Sequence, residues 1–290
     1  MSVVEPLAAT EVAEMPSAWR IFRRNRMSVF GLVLIVILAV LALLGPWIAP
    51  FSPYSTTAGP VMAPPGAPHW LGTDELGRDI FSRVLLGTRT SLLVGLAAAF
   101  IATFVGITVG ALSGYFTGWI DDVIMRVTEV FQVIPRFFLA IVLVSFFGAN
   151  LVNIILAISL LSWPELARIV RAEFLTLRSR QFVDAARVCG AGAMWLVFVE
   201  ILPNALAPVI VNATLQVGQA MLLEAGLSYL GVGDPSQISL GMMLQQAQQI
   251  MRAAWWATLF PGVALAIAVL AINIVGDGLN DVFSPRSRER

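Results

Sequence analysis

Apolar residues in this chain do not alternate with polar ones. They come in long runs broken by short polar interruptions. The first run, Met27 to Ala49, holds no charged residue. A helix needs roughly 20 apolar residues to cross about 30 Å of hydrocarbon, so this run predicts a membrane span. A secretory signal has a shorter apolar core of roughly 7–15 residues. Pro46 and Pro50 mark the exit into a loop. Five further runs near 91–115, 124–147, 151–170, 205–227 and 256–279 predict six transmembrane helices in all, an all-α integral membrane protein. The chain divides into an amino-terminal arm, 1–26, a membrane domain, 27–283, and a tail, 284–290.

Arginine placement sets the orientation. Six spans put both termini on one side. On that side fall Arg20, Arg23, Arg24, Arg26, Arg126, Arg168, Arg171, Arg178, Arg180, Arg187, Arg286, Arg288 and Arg290. The other side holds Arg78, Arg83, Arg89 and Arg252, and Arg136 lies within the third span. Basic residues concentrate in cytoplasmic segments, so both termini are expected in the cytoplasm.

Composition narrows the class further. Charged residues are 12% of the chain and hydrophobic ones 58%, whereas soluble domains carry roughly 25% charged residues. A soluble enzyme and a disordered chain are both excluded. The net charge is zero, with no basic excess that would suggest nucleic acid. One cysteine, Cys189, and one histidine, His69, exclude an intrachain disulfide and a metal site built on several of either. His69, alone in a Pro-rich loop, reads as a surface residue, and Cys189 as a small packed one.

Texture appears between the runs. Gly106, Gly110 and Gly114, four apart, share one helical face and let another helix approach closely; the helix could belong to this chain or to a partner. Residues 50–70 read as an outer loop. In the stretch that follows, Leu76, Ile80, Phe81, Val84 and Leu85 oppose Arg78, Asp79, Ser82 and Arg83, the pattern of a helix lying along the interface. Trp255-Trp256 is an aromatic anchor at a span's edge, and residues 1–18 read as a flexible arm. Asp277 and Asp281 read as caps or tethers at the end of the sixth span.

The longest connection on the cytoplasmic side, about 171–204, is too long for a simple turn. Asp184 can cap a short helix that Gly190 ends, with Ala185 and Ala186 keeping its backbone approachable. A second helix, Met194 to Leu202, would present Trp195, Phe198, Val199 and Leu202 as an apolar face and stop at Pro203. The segment is either a docking surface for another protein or a plain cytoplasmic hairpin.

This connection resembles the EAA loop of ABC-importer permeases: Glu-Ala-Ala, three residues, Gly, nine residues, Ile, one residue, Leu-Pro. Asp184, Ala185, Ala186, Gly190, Leu202 and Pro203 match in spacing. Asp184 replaces the Glu, and Glu200 stands at the Ile position with Ile201 one later. LGTDELGRD before the second span, GYFTGWIDDVIMR at 114–126, EAGLSYLGVGDP at 224–235 and NIVGDGLNDVFSP at 273–285 are similar to the C-type permease subunit of dipeptide, oligopeptide and nickel importers. The resemblance implies a type I ABC importer permease fold in a bacterial cytoplasmic membrane. It also implies a B-type permease partner, two cytoplasmic ABC ATPase subunits, and a periplasmic or lipid-anchored solute-binding protein. ATP and Mg would then sit on the ATPases, with no cofactor or metal in this chain, which has no GxxxxGK[ST] phosphate loop. The cargo implied is di- or oligopeptides, with nickel chelates or glutathione-like solutes as the alternative.

Charges at membrane depth are costly and often functional. Glu129 and Arg136, seven apart on the third span, and Glu224, near the outer end of the fifth, are candidates for the solute path, where a peptide's amine and carboxylate need partners. Each also has a local reading: Glu129 can snorkel to the cytoplasm, Glu224 can satisfy helix-end amides, and Arg136 can bond carbonyls freed by Pro135. Outside this class, a secondary transporter would show repeated halves and interrupted midplane helices, and no convincing repeat is present.

Overall fold

The structure is a computed structural model that describes residues 18–283; the readings for residues 1–17 and for the tail at 284–290 lie outside it. Ten helices follow in order among the described residues. They are α1 (Ala18–Arg24), α2 (Arg26–Ile48), α3 (Ile80–Phe116), α4 (Trp119–Val133), α5 (Arg136–Phe147), α6 (Leu151–Leu177), α7 (Gln181–Val188), α8 (Ala193–Tyr229), α9 (Leu240–Ala247) and α10 (Trp256–Phe283). Helices α2, α3, α6, α8 and α10 are each long and apolar enough to cross a membrane.

The run predicted as a single third span, 124–147, is broken. Helices α4 and α5 meet at 87° across Ile134-Pro135. Proline lacks the N–H that would continue the ladder, and it forces the preceding residue out of helical geometry. Ile134 accordingly sits at φ −87°, ψ 131°.

The expected interface helix from Leu76 is also absent. Asp79 caps α3, its Oδ2 accepting from Ser82 N at 2.8 Å and Ser82 Oγ at 2.7 Å, so helix starts only at Ile80. Just upstream, Asp74 Oδ1 accepts the amides of Leu76 at 2.9 Å and Arg78 at 3.0 Å, folding those residues into a tight loop. At 37 residues α3 is about 55 Å long, well beyond the roughly 30 Å of hydrocarbon. Gln246 Oε1, on α9, accepts from Arg78 Nη2 at 3.1 Å and Arg83 Nη2 at 2.8 Å. Trp256 Nε1 donates to Thr73 O at 3.1 Å. His69 is buried rather than exposed, its Nδ1 3.0 Å from the Asp79 carboxylate and its ring against Phe51.

The glycine stripe of α3 packs on α6 of the same chain. A Cβ at Gly106 would lie 2.9 Å from Leu166 Cβ, one at Gly114 would lie 2.6 Å from Phe174 Cβ, and one at Gly110 would strike the Ala167 carbonyl. The two ends of the membrane domain meet where Asn25, capping α2, donates to Asp281 Oδ2 on α10 at 3.0 Å, the tether read at Asp281. On the opposite side Asp234 Oδ2 accepts the Leu151 amide at 2.8 Å, fixing the start of α6 to the loop after α8.

Gly110→Leu is expected to force α3 off α6 at an overpacking cost of about 1–3 kcal/mol, read as a lower melting temperature and lower yield of the membrane protein. Burial alone would raise the Asp234 carboxyl, but the hydroxyl and amide of Ser236 and the Leu151 amide hold it below its ordinary value of 3.8. A depressed carboxylate stabilises the fold above the unfolded value and loses that contribution as pH falls through the folded one. The melting-temperature advantage of the parent over Asp234→Ala should therefore be constant at neutral pH and shrink only in strong acid.

Candidate coupling loop and intramembrane charges

Between α6 and α8 the chain makes a short outward knuckle. Helix α7 opens at Gln181 after an extended Arg180 with no side-chain cap. Asp184 therefore does not cap this helix; it lies in the first turn, where a carboxylate suits the positive end of the helix, and accepts from Arg187 Nη1 at 2.8 Å. Ala185 is exposed and Ala186 half-buried. Gly190 ends the helix as the spacing predicts. It stands at φ +89°, and its N–H bonds to Arg187 O at 3.0 Å while the Ala191 N–H reaches back to Ala186 O at 3.1 Å. This is the paired closure that a left-handed residue permits. Nothing lies within 4 Å of where its Cβ would be, so backbone conformation, not room, calls for glycine. Cys189 is exposed rather than packed.

The following helix is not a regular α-helix that ends at Pro203. Residues Leu196–Ile201 form a π-turn, with the Leu202 N–H bonding to Val197 O, five residues back. A π-turn brings residues five apart into register, so Leu196 and Ile201 point inward together with Val197, each at most 1% exposed. Trp195, Phe198 and Val199, three of the four residues read as one apolar face, are exposed, and Leu202 is half-buried. Pro203 does not stop the helix. It sits in the first turn of the α-helical stretch Leu202–Tyr229, where the widened turn absorbs its missing donor, and Asn204 Nδ2 satisfies Glu200 O at 2.7 Å. The extra residue in that turn also explains why an apolar side chain is needed at Ile201 and not at Glu200.

One buried apolar cluster joins the knuckle to the spans. Val183 of α7, fully buried, packs with Ala111 of α3, Val170 and Phe174 of α6, and Leu196 and Ile201 of α8. Outward, the knuckle and the turn after it expose Val188 (88%), Met194, Trp195, Phe198 and Val199. Helix α7 is thereby in packed contact with three long helices.

The charges named from the sequence separate. The break at Pro135 removes the shared face of Glu129 and Arg136. Glu129 pairs instead with Arg126 at 3.4 Å, both exposed. Glu224 is 2% exposed, and its oxygens accept from Ser91 Oγ at 3.0 Å and Ser228 Oγ at 2.7 Å. Arg136, the first residue of α5, donates from Nη2 to Glu165 Oε2 on α6 at 2.9 Å. Sequence reasoning missed Glu165, although a carboxylate inside the predicted fourth span directly after Pro164 is a signal for it. Also missed was Asp121, which takes two 2.6 Å bonds from Arg171 and a further bond from the Ser113 hydroxyl. Its partner lies 50 residues away, a pairing that no local pattern displays.

Known proteins share this fold and much of this sequence. Residues 106–289 match the family of binding-protein-dependent transport system inner membrane components. Residues 16–65 match the N-terminal transmembrane domain of oligopeptide transport permease C. The chain is 38% identical over 291 residues to a dipeptide transport system permease protein of Haemophilus influenzae, covering 98% of this chain and 99% of that one. It is 38% identical over 275 residues to a di/tripeptide transport system permease protein of Pseudomonas aeruginosa, covering 92% and 91%. Among solved structures, an inward-facing MetNI methionine ABC transporter superposes with a TM-score of 0.60 at 22% identity, over 70% of this chain and 97% of that one, a likeness of fold.

Val183→Ala removes about 1.5 kcal/mol of apolar burial, at ~0.8 kcal/mol per CH2. Amides of residues 181–191 should then exchange hydrogen about tenfold faster while those of α6 stay protected; unchanged exchange would show that Val183 does not hold the knuckle.

Proposed function

The chain belongs to the family of binding-protein-dependent transport system inner membrane components, and on that footing we propose that it is the C-type permease subunit of an ATP-driven importer of di- or oligopeptides. The observation that carries this reading is the knuckle at 181–191: a short helix closed by Gly190, exposed on its outer side and wired through Val183 to α3, α6 and α8. The chain works with a B-type permease, two cytoplasmic ATPases that bind ATP and Mg, and a periplasmic or lipid-anchored binding protein that delivers the solute. Its own contribution to the reaction is mechanical. It lies in the bacterial inner membrane as a multi-pass protein, and the arginine bias supports termini, and therefore the knuckle, on the cytoplasmic side.

Closure of the ATPases would press on Asp184, Ala185, Ala186 and the residues around Gly190. The apolar cluster then carries that push into the spans, which alternate between inward-open and outward-open packing. Leu202 and Pro203 lie where the push enters α8, at the π-turn. Arg136 lines the solute path in this reading, because a half-exposed guanidinium at membrane depth needs an aqueous cavity. Glu129, paired with Arg126, serves the exposed face of α4, and Glu224, with its two serines, the packing of α3 against α8.

Gly190→Trp should leave the assembled complex hydrolysing ATP while peptide uptake in proteoliposomes falls at least about tenfold. The strained left-handed backbone and the added bulk both spoil the docked surface. Uptake equal to the parent would contradict the assignment of the knuckle.

A further inference from the structure

The charges within and beside the spans are not equivalent. Asp121 and Arg171 use both carboxylate oxygens and two guanidinium nitrogens on each other, with Ser113 added; such a saturated pair has little to offer a solute. Glu224 is buried with both oxygens occupied. Arg136 and Glu165 differ on both points. They share one bond, Nη2 to Oε2 at 2.9 Å, which among the described residues leaves Oε1 and most of the guanidinium N–H groups unused. Their side chains are 34% and 35% exposed.

Depth separates the pair as well. Within the predicted fourth span, 151–170, Glu165 lies five residues, about 8 Å at 1.5 Å per residue, from the cytoplasmic end of the apolar part of the 27-residue α6. A half-exposed ion pair inside a span cannot face hydrocarbon and must face the bundle interior or a water-filled cavity. Each member also follows a proline, Pro135 and Pro164, at points where the backbone ladder is already interrupted. Little rigid helix has to yield for the two groups to part.

We propose that Arg136 and Glu165 form a single site complementary to a zwitterion, in which Glu165 is the resident counter-ion of Arg136 when the path is empty. A solute carboxylate replaces Glu165 on the guanidinium, and the solute ammonium takes the carboxylate so released. Charge stays balanced throughout, so neither group is ever left unpaired in a medium where an unpaired charge is strongly disfavoured. A solute with only one of the two charges would strand one member of the pair. This inference rests on the reading of Arg136 as a path residue and adds to it a specificity-determining partner, Glu165.

The test uses the full complex in proteoliposomes with its binding protein and a labelled dipeptide as probe. In a Cys189→Ser background, the variant Glu165→Cys is first exposed to a charged, membrane-impermeant thiol reagent. Labelling is expected; its absence would remove both the path reading and this inference. The double variant Arg136→Gln with Glu165→Gln then removes both charges without stranding either. It should assemble and hydrolyse ATP like the parent yet take up peptide at least about tenfold more slowly. If the thiol reagent labels Glu165→Cys but the double variant takes up peptide within twofold of the parent, the exchange is overturned and the path reading stands. Should the double variant fail to assemble, Arg136→Lys and Glu165→Gln decide the matter. Uptake kept in the first and lost in the second supports the site; equal uptake by Glu165→Gln and the parent overturns it.

Discussion

Within a bilayer no water reaches the backbone, so every N–H and C=O has to be satisfied along the helix, and each proline leaves a carbonyl without its donor. The chain meets this constraint along five spans and departs from it at identifiable places. Pro135 breaks the third apolar run at 87° and puts Arg136 at the head of a new helix. Pro164 precedes Glu165 on α6, and Pro203 follows the π-turn that feeds α8. These three coincide with the ion pair proposed to meet the solute and with the joint proposed to pass force into α8, while Pro46, Pro208 and Pro261 lie inside helices elsewhere. Such coincidence is expected where irregular backbone is tolerated only against a cavity or inside protein.

Close packing makes those interruptions useful. The glycine stripe of α3 lets α6 approach until Leu166 and Phe174 would touch any added Cβ, so the two helices are held in close contact. Val183, Phe174 and Ile201 then lock the knuckle onto that pair and onto α8. Tightly packed interiors transmit strain rather than absorb it. A helix of eight residues would otherwise be marginal in water; here tertiary burial at one face and the closure at Gly190 hold it in shape while its other face stays open.

Much of this was legible in the sequence because the bilayer imposes length. Apolar runs of about 20 residues marked where helices cross, the four-residue glycine spacing marked a contact face, and Gly190 marked a helix end. What escaped had different causes. The break at Ile134-Pro135 hides in an apolar run because hydropathy carries no direction. The π-turn at 196–201 shifts the inner face by one residue, from Glu200 to Ile201, which the regular α-helical period cannot anticipate. Helix α3 begins at Ile80 because Asp79 finds Ser82 and His69 as partners, a pairing that also buries the histidine. Glu165 and Asp121 pair across 29 and 50 residues, distances at which only the fold brings side chains together.

The central claim is that this chain is a gate driven through its knuckle by a nucleotide-hydrolysing neighbour. Comparing proteoliposomes that hold the permease pair and binding protein, with and without the two ATPases, under imposed proton or sodium gradients tests it directly. The account predicts that labelled peptide accumulates only when the ATPases and ATP are present, whatever the gradient. Accumulation driven by an ion gradient in vesicles lacking the ATPases would contradict it.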